Sequence, residues 1–303
     1  MSGSILLALA YVLLAVFFVA AVLRTVRIAR LPVHLRWELA PVPKEKTRGR
    51  YGGSYLEAYE WWKQPREESV VAELLYMLEE ILFLKALWKH QRRLWWWSFP
   101  FHVGLYLLAV AVGLTLVEGA LAAAGVLSPA WSVLIHGLPW LAGAAYVLGA
   151  VGAVGLLVSR LARPSLRALT TPVALFNLVL LLAVFVSGAV TVWSVSDLPA
   201  RAAGLAHALL TATPPHDLPA ALTTHVVLSL VFLAYLPFSQ MMHFVAKYFT
   251  YHQVRWDDRP LEPGGAIERE VEELLQQPVS WGGPHVGADG HKNWVDIATE
   301  AQP

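Results

Sequence analysis

Five apolar stretches, each long enough to cross a lipid bilayer, constrain the fold of this chain more than any other feature. A transmembrane helix needs about 20 mostly apolar residues. The stretches are Ile5–Leu23, Phe99–Leu121, Trp131–Val158, Val173–Val195 and Leu218–Val245. Since unpaired backbone polar groups are costly in lipid, segments of this kind are helical. The sequence therefore predicts an all-α, polytopic membrane helix bundle with five transmembrane helices.

The composition agrees with a membrane protein and excludes several kinds of redox centre. Charged residues make up 15% of the 303 residues, whereas soluble domains carry about 25%. The chain has no cysteine, which excludes disulfides, thiolate-bound iron–sulfur clusters and covalently attached c-type haem. Any redox centre must be held by His, Met or carboxylate groups.

The positions of the basic residues predict the orientation of the bundle. Cytoplasmic loops of membrane proteins are enriched in Lys and Arg. In this chain, Lys and Arg are frequent after the first, third and fifth stretches and before the second. The loops that follow the second and fourth stretches have Arg201 as their only Lys or Arg. This pattern predicts the N-terminus outside and the C-terminus inside, in the inner (cytoplasmic) cell membrane.

The polar segments divide the chain into four predicted parts. Residues 1–30 hold the first transmembrane helix, and residues 31–98 form a cytoplasmic segment whose amphipathic helix, from about Ser69, runs into the second span. Residues 99–250 form a four-helix membrane core, and residues 251–303 form a cytoplasmic tail that we expect to bind a partner. Two further helices are predicted outside the spans, at Leu198–Leu210 and Ile267–Gln276.

Two histidines on the fifth stretch, His225 and His243, point to a cofactor. They are 18 residues apart, which on a continuous helix is five full turns, so both lie on one face about 27 Å apart. One histidine is therefore expected near each side of a hydrocarbon core roughly 30 Å thick. Neutral imidazole is a ligand of haem iron, so the spacing predicts two haem sites across the membrane.

The facing ligands are predicted from depth in the membrane. His102, at the inner end of the second stretch, is level with His243, and His136, at the outer end of the third, is level with His225. We therefore predict one b-type haem on the His102–His243 pair and another on His136–His225. His207 is an alternative ligand for the outer haem, and a chain that binds only the inner haem also remains open.

The fifth stretch resembles the gamma subunit of respiratory nitrate reductase, a five-span dihaem cytochrome b. That family also has two histidines separated by 17 residues, with Pro-Phe-Ser before the second, as at Pro237, Phe238 and Ser239 here. The start of the second stretch, with His102 and Gly104, is similar too. The resemblance implies haem at His102, His225 and His243. It also implies electron transfer between a membrane quinol or quinone, such as menaquinol, and other subunits.

This chain departs from the family at one ligand. The nitrate reductase subunit carries a second histidine ten residues later on the second span, where this chain has Val112. The outer haem's second ligand therefore cannot be assigned by position. His136 replaces it in our prediction, with contact to quinone as its alternative role.

The long segment before the second stretch, with Glu79 to Phe83, is more similar to the membrane cytochromes of sulfite-reductase-associated and heterodisulfide-reductase-like complexes. This implies a cytoplasmic iron–sulfur oxidoreductase partner. Two other interpretations stay open: a hydrogenase- or formate-dehydrogenase-type cytochrome b, and a membrane anchor without haem.

Three more side chains, together with His136, complete the predicted sites. Glu118, the only acid in the second stretch, and His136 are candidates for a quinone site, in which Glu118 would accept a proton from quinol. Arg92 and Arg93 could pair with haem propionates through charge-assisted hydrogen bonds. The predicted haem and quinone sites would serve electron flow in either direction, from quinol to the partner or from the partner to quinone.

Overall fold

The computed structural model of the chain describes residues 2–31, 42, 45, 51, 53–65, 69–126, 130–250, 261–280 and 287–300, without the side chains at 130 and 132–135. The chain divides into two compact units. The first consists of residues 1–33 and 69–255, and the second of residues 34–68 and 256–303.

Helices make up almost all the regular structure of the first unit. They are α1 (Gly3–Ala29), α2 (Val70–Phe83), α3 (Lys85–His90), α4 (Arg92–Ala123), α5 (Ala130–Ala162), α6 (Pro164–Arg167), α7 (Pro172–Ser194), α8 (Leu198–Thr211), α9 (Ala220–Tyr235) and α10 (His243–Thr250).

The prediction of a five-span helical bundle is confirmed. Among the described residues, five helices are long and apolar enough to cross a membrane: Gly3–Ala29, Arg92–Ala123, His136–Ala162, Pro172–Ser194 and Ala220–Phe238. The described residues form no strand beyond an isolated bridge between Pro278 and Asn293. The orientation of the termini stays a prediction, and we use inner and outer in that predicted sense.

Glycines set the close antiparallel packing of α4, α5 and α7. A Cβ atom at Gly104 of α4 would lie 2.6 Å from the backbone nitrogen of Gly149, and one at Gly152 of α5 would lie 2.5 Å from that of Phe101. Gly149 in turn faces the fully buried ring of Phe185 on α7. Small residues let membrane helices approach closely, so these contacts fix the register of the three helices that surround the candidate site.

Two predicted continuous helices are interrupted. The amphipathic helix does not run straight into the second span, because Leu84 adopts a left-handed conformation with φ of 51° and separates α2 from α3. The fifth span ends as an α-helix at Tyr235 and continues as short 3-10 turns at Leu236–Phe238 and Gln240–Met242 before α10 begins. Pro237 explains the second break, because proline lacks a backbone N–H and its ring clashes with the preceding helical turn.

The second unit contains short helices. Two 3-10 helices span Tyr55–Glu57 and Trp61–Lys63, and two α-helices follow the membrane unit in sequence, α11 (Ala266–Leu275) and α12 (Trp294–Thr299). The predicted helix at 267–276 corresponds to α11, whereas α12 was not predicted. Asn293 begins α12 with a capping box to Asp296, a motif that satisfies two backbone N–H groups.

Candidate functional site

The structure brings His102 of α4 and His243 of α10 together. Their imidazole rings lie 6.3 Å apart between centroids, with an angle of 82° between the ring planes. The break at Pro237 therefore does not carry His243 away from α4. The two histidines face each other from helices that are far apart in sequence.

Hydrogen bonds to backbone carbonyls orient both rings. The Nδ1 atom of His102 lies 2.7 Å from the Ser98 carbonyl oxygen, and that of His243 lies 3.3 Å from the Gln240 carbonyl oxygen. A carbonyl can only accept, so each Nδ1 carries the proton and donates. Each Nε2 is then the unprotonated nitrogen, which is the form that binds a metal, and the carbonyl fixes its tautomer.

This separation would suit two imidazole ligands of one metal ion. Metal–nitrogen bonds of about 2 Å on both sides, with about 1 Å from each nitrogen to its ring centre, give a centroid distance of about 6 Å. The observed 6.3 Å agrees. His102 and His243 are therefore suited to hold a haem iron between them.

A buried ion pair holds α10 against α2. The carboxylate of Glu80 is 4% exposed, and one of its oxygens accepts a hydrogen bond from Lys247 Nζ at 2.7 Å. Its other oxygen accepts from the backbone N–H of Ala86 at 2.9 Å, which caps the start of α3. Since Lys247 lies four residues after His243, about one helical turn, Glu80 helps to position the His243 ring.

The predicted pair of His136 and His225 is not formed. His136 is exposed on α5, whereas both ring nitrogens of His225 bond to other side chains. Nε2 lies 2.7 Å from the hydroxyl oxygen of Tyr146, and Nδ1 lies 3.1 Å from Ser187 Oγ. His136 lies ten residues before Tyr146 on α5, which is about 15 Å along the helix axis, so it is not level with His225 as the prediction assumed. Tyr146, ten residues further along α5, contacts His225 instead.

A cavity of about 300 Å³ lies beside His225, within the membrane unit. Its walls come from α1, α4, α5, α7, α8 and α9, and they include Val112. The lining is almost entirely apolar. Neither His136 nor Glu118 contributes to it.

The remaining predicted site residues belong neither to the His102–His243 pair nor to the lining of the cavity beside His225. Glu118 is buried where α4 packs on α8, and its Oε2 atom has no hydrogen-bond partner among the described residues. Arg92 stacks on the Trp88 ring with its guanidinium carbon 3.7 Å from the ring centroid, and Arg93 is exposed. His207 contacts Thr211 on its own helix. Roles for Glu118 in proton transfer and for the two arginines in propionate binding stay predictions.

Comparison with known proteins identifies the family. The family described as nitrate reductase gamma subunit matches residues 87–257, which are more than half of the chain. The chain belongs to the nitrate reductase gamma subunit family. The family is a subunit of a respiratory nitrate reductase, an oxidoreductase complex, and its members are haem-binding membrane cytochromes. A search of the curated proteins found no match.

The match to the gamma subunit family covers the histidines of the candidate site. The matched residues include α4, α5, α7, α8, α9 and α10, and so all four histidines at issue. Three side chains around them were not predicted: Tyr146 and Ser187, which contact His225, and Glu80, which binds Lys247. Glu80 lies before the matched segment, and nothing in the local sequence around Tyr146 or Ser187 distinguishes them from other residues in an apolar span.

Proposed function

We propose that this gamma subunit family member is a b-type cytochrome of the inner cell membrane. It would pass electrons between a membrane pool of quinol and quinone, such as menaquinol and menaquinone, and a cytoplasmic iron–sulfur oxidoreductase partner. The 6.3 Å separation of the His102 and His243 rings carries this proposal. A haem bound between them takes up and releases one electron at a time, and the protein supplies the two Nε2 ligands and the carbonyls that orient them.

The geometry supports one haem per chain. Two haems were expected from the sequence, but the outer pair does not meet, and the Nε2 atom of His225 is engaged with Tyr146. The family match favours this proposal over a hydrogenase-type or formate-dehydrogenase-type cytochrome. A haem-free membrane anchor is the remaining alternative, and the experiment below distinguishes it.

The inner position of the haem site suits a cytoplasmic partner. His243 starts α10, beyond the Pro237 break and next to the basic end of the bundle with Lys247. An electron at this site is close to the surface where the partner would dock. A partner of the nitrate-reductase or heterodisulfide-reductase type carries iron–sulfur clusters, which this cysteine-free chain cannot bind through thiolates.

Loss of haem on substitution of either histidine tests the proposal. We expect His102→Ala and His243→Ala each to abolish the reduced b-type absorbance and to lower extractable haem to nearly zero, because one imidazole alone holds the iron weakly. His291→Ala, in the second unit, is the control and should keep full haem content. A purified chain without haem, or alanine variants that retain it, would contradict the proposal.

A further inference from the structure

One side of α2 is an exposed stripe of apolar side chains. The spacing of five residues along the helix places them on the same side. Each of the five is between 45% and 67% exposed: Val71, Leu74, Leu75, Leu78 and Leu82. The opposite side of α2 carries the buried Met77 and Glu80. An amphipathic helix of a water-soluble domain turns its apolar stripe towards the core, whereas α2 turns this one outward.

The end of α2 is attached to the inner part of the second span. The hydroxyl of Tyr106 on α4 donates to the carbonyl oxygen of Ile81 at 2.7 Å. The indole N–H of Trp95 donates to the carbonyl oxygen of Phe83 at 2.8 Å. Tyr106 lies about 16 Å beyond Trp95 along the axis of α4, within the apolar stretch that begins at Phe99. The C-terminal end of α2 therefore lies beside a membrane-spanning segment.

Polar backbone groups at the break between α2 and α3 are paired with protein side chains. A helix end leaves backbone groups without partners inside the helix. Here two carbonyls of α2 bond to Tyr106 and Trp95, and the backbone N–H of Ala86 bonds to the Glu80 carboxylate at 2.9 Å. Water could satisfy such groups at an aqueous surface, but lipid could not. Side-chain partners are therefore what a helix break needs in a membrane.

The residues that follow α2 are of the kinds found at a membrane surface. Three indole rings form a cluster with centroids between 4.6 and 6.5 Å apart, those of Trp88, Trp95 and Trp96. Tryptophan is enriched where lipid meets water. Four basic residues stand in the same segment, Lys85, Lys89, Arg92 and Arg93, and basic clusters attract the anionic head groups of lipids. The apolar stripe is thus continuous with a segment suited to the membrane interface.

We propose that α2 lies in the lipid leaflet on the side of the His102–His243 pair, with its stripe against the acyl chains. A protein interface combines apolar contacts with hydrogen bonds, but this stripe consists of valine and leucine alone. Acyl chains form no hydrogen bonds, so they match such a surface, as they do for other interfacial helices. The chain then contacts lipid through a sixth helix besides its five spans, in a segment that the sequence assigned to the cytoplasm.

Attachment of α2 to lipid also affects the candidate site. Glu80 lies on the side of α2 opposite the stripe, and its carboxylate accepts a hydrogen bond from Lys247 of α10 at 2.7 Å. Lys247 follows His243 by one helical turn. A helix held in the leaflet therefore supports the position of α10 from outside the bundle of spans.

Collisions of a nitroxide spin label with oxygen and with a nickel chelate test the proposal. The chain has no cysteine, so a single introduced cysteine carries the label in the full chain, reconstituted without a partner into vesicles of phosphatidylcholine and phosphatidylglycerol. Oxygen concentrates among acyl chains, whereas the chelate stays in water. We expect the oxygen rate to exceed the nickel rate at Leu75→Cys and Leu78→Cys.

Two further single-cysteine variants provide the references. Val186→Cys, a 49% exposed position on the spanning helix α7, gives the ratio of oxygen to nickel rates in lipid. Ala168→Cys, in the exposed loop after α6, gives the ratio in water. Labels at Leu75→Cys and Leu78→Cys should match the lipid reference.

A match of both α2 positions to the water reference would overturn the inference, because the stripe would then face water and be open to a protein partner. The proposal does not depend on haem, and haem content is measured separately on the same variants. Failure of the lipid contact would therefore leave the cytochrome proposal intact, and absence of haem would leave the lipid contact intact.

Discussion

Glu80 is the residue on which the position of α10 depends most directly. Its buried carboxylate bonds to Lys247 and to the Ala86 backbone N–H. A hydrogen bond to a charged group contributes about 1.5–3 kcal/mol. We expect Glu80→Ala to lower the free energy of unfolding by about 3 kcal/mol and to increase haem loss, because the His243 ring is less well held. Denaturation of the purified cytochrome, followed by haem absorbance, measures both effects.

The neighbouring Glu79 provides the control for that prediction. Its carboxylate is 55% exposed and pairs with Lys85 at the surface. Exposed ion pairs contribute at most about 1 kcal/mol, so Glu79→Ala should leave haem retention almost unchanged. Equal effects of the two substitutions would mean that burial of Glu80 does not stabilise the site.

At the same scale, sequence alone predicted some site residues and not others. His102 and His243 were identifiable because a histidine inside an apolar span is rare and their depth could be estimated from the helical rise. Tyr146 and Ser187 were not, because their contact with His225 depends on the relative rotation of three helices. The contact of α5 with His225 is made by Tyr146 and not by His136, because hydropathy indicates neither the exact depth of α5 nor the face that it turns towards α9.

Among the elements, the contact between α4 and α5 decides how closely His102 is surrounded. A Cβ at Gly104 would meet backbone atoms of Gly149 and Ala145 at 2.6 and 2.7 Å. Backbone cannot move aside as a flexible side chain can, so the helices must separate. We expect Gly104→Ala to destabilise the protein by about 1–3 kcal/mol, measured as the midpoint of thermal unfolding in detergent.

Gly113, on the same helix, separates the packing effect from helix propensity. A Cβ there has no neighbour within 4 Å. Alanine favours the helix over glycine by about 1 kcal/mol, so Gly113→Ala should leave the unfolding midpoint unchanged or raise it slightly. A fall of the same size as in Gly104→Ala would show that close approach of α4 and α5 is not the cause.

The number of spans followed from length and hydropathy, but the interruptions of two helices did not. The break at Leu84 depends on a left-handed residue that is not glycine, which local sequence rarely indicates. The break after Tyr235 is at Pro237, a residue that does predict it. We treated the fifth stretch as continuous because its apolar character persists beyond the proline, and hydropathy does not detect a change from α-helix to 3-10 turns.

For the whole molecule, the orientation determines which compartment the haem site and the partner share. The charge pattern predicts that the loop after α4 is outside and that the loop between α6 and α7 is inside. Because the chain has no cysteine, a single introduced cysteine reports its own location. Ala124 and Ala168 are exposed positions in these two loops. We expect a membrane-impermeant maleimide to label Ala124→Cys in intact cells, and Ala168→Cys only after the membrane is made permeable.

Labelling of both variants in detergent controls for accessibility of the introduced thiols. The reverse pattern in intact cells would place His102 and His243 at the outer side of the membrane. A cytoplasmic iron–sulfur partner could not then dock beside them, although the histidine pair would still bind haem. The two experiments therefore test different parts of the proposed function. Haem analysis tests whether the histidine pair binds haem, and the location of Ala168→Cys tests on which side of the membrane a partner could receive electrons.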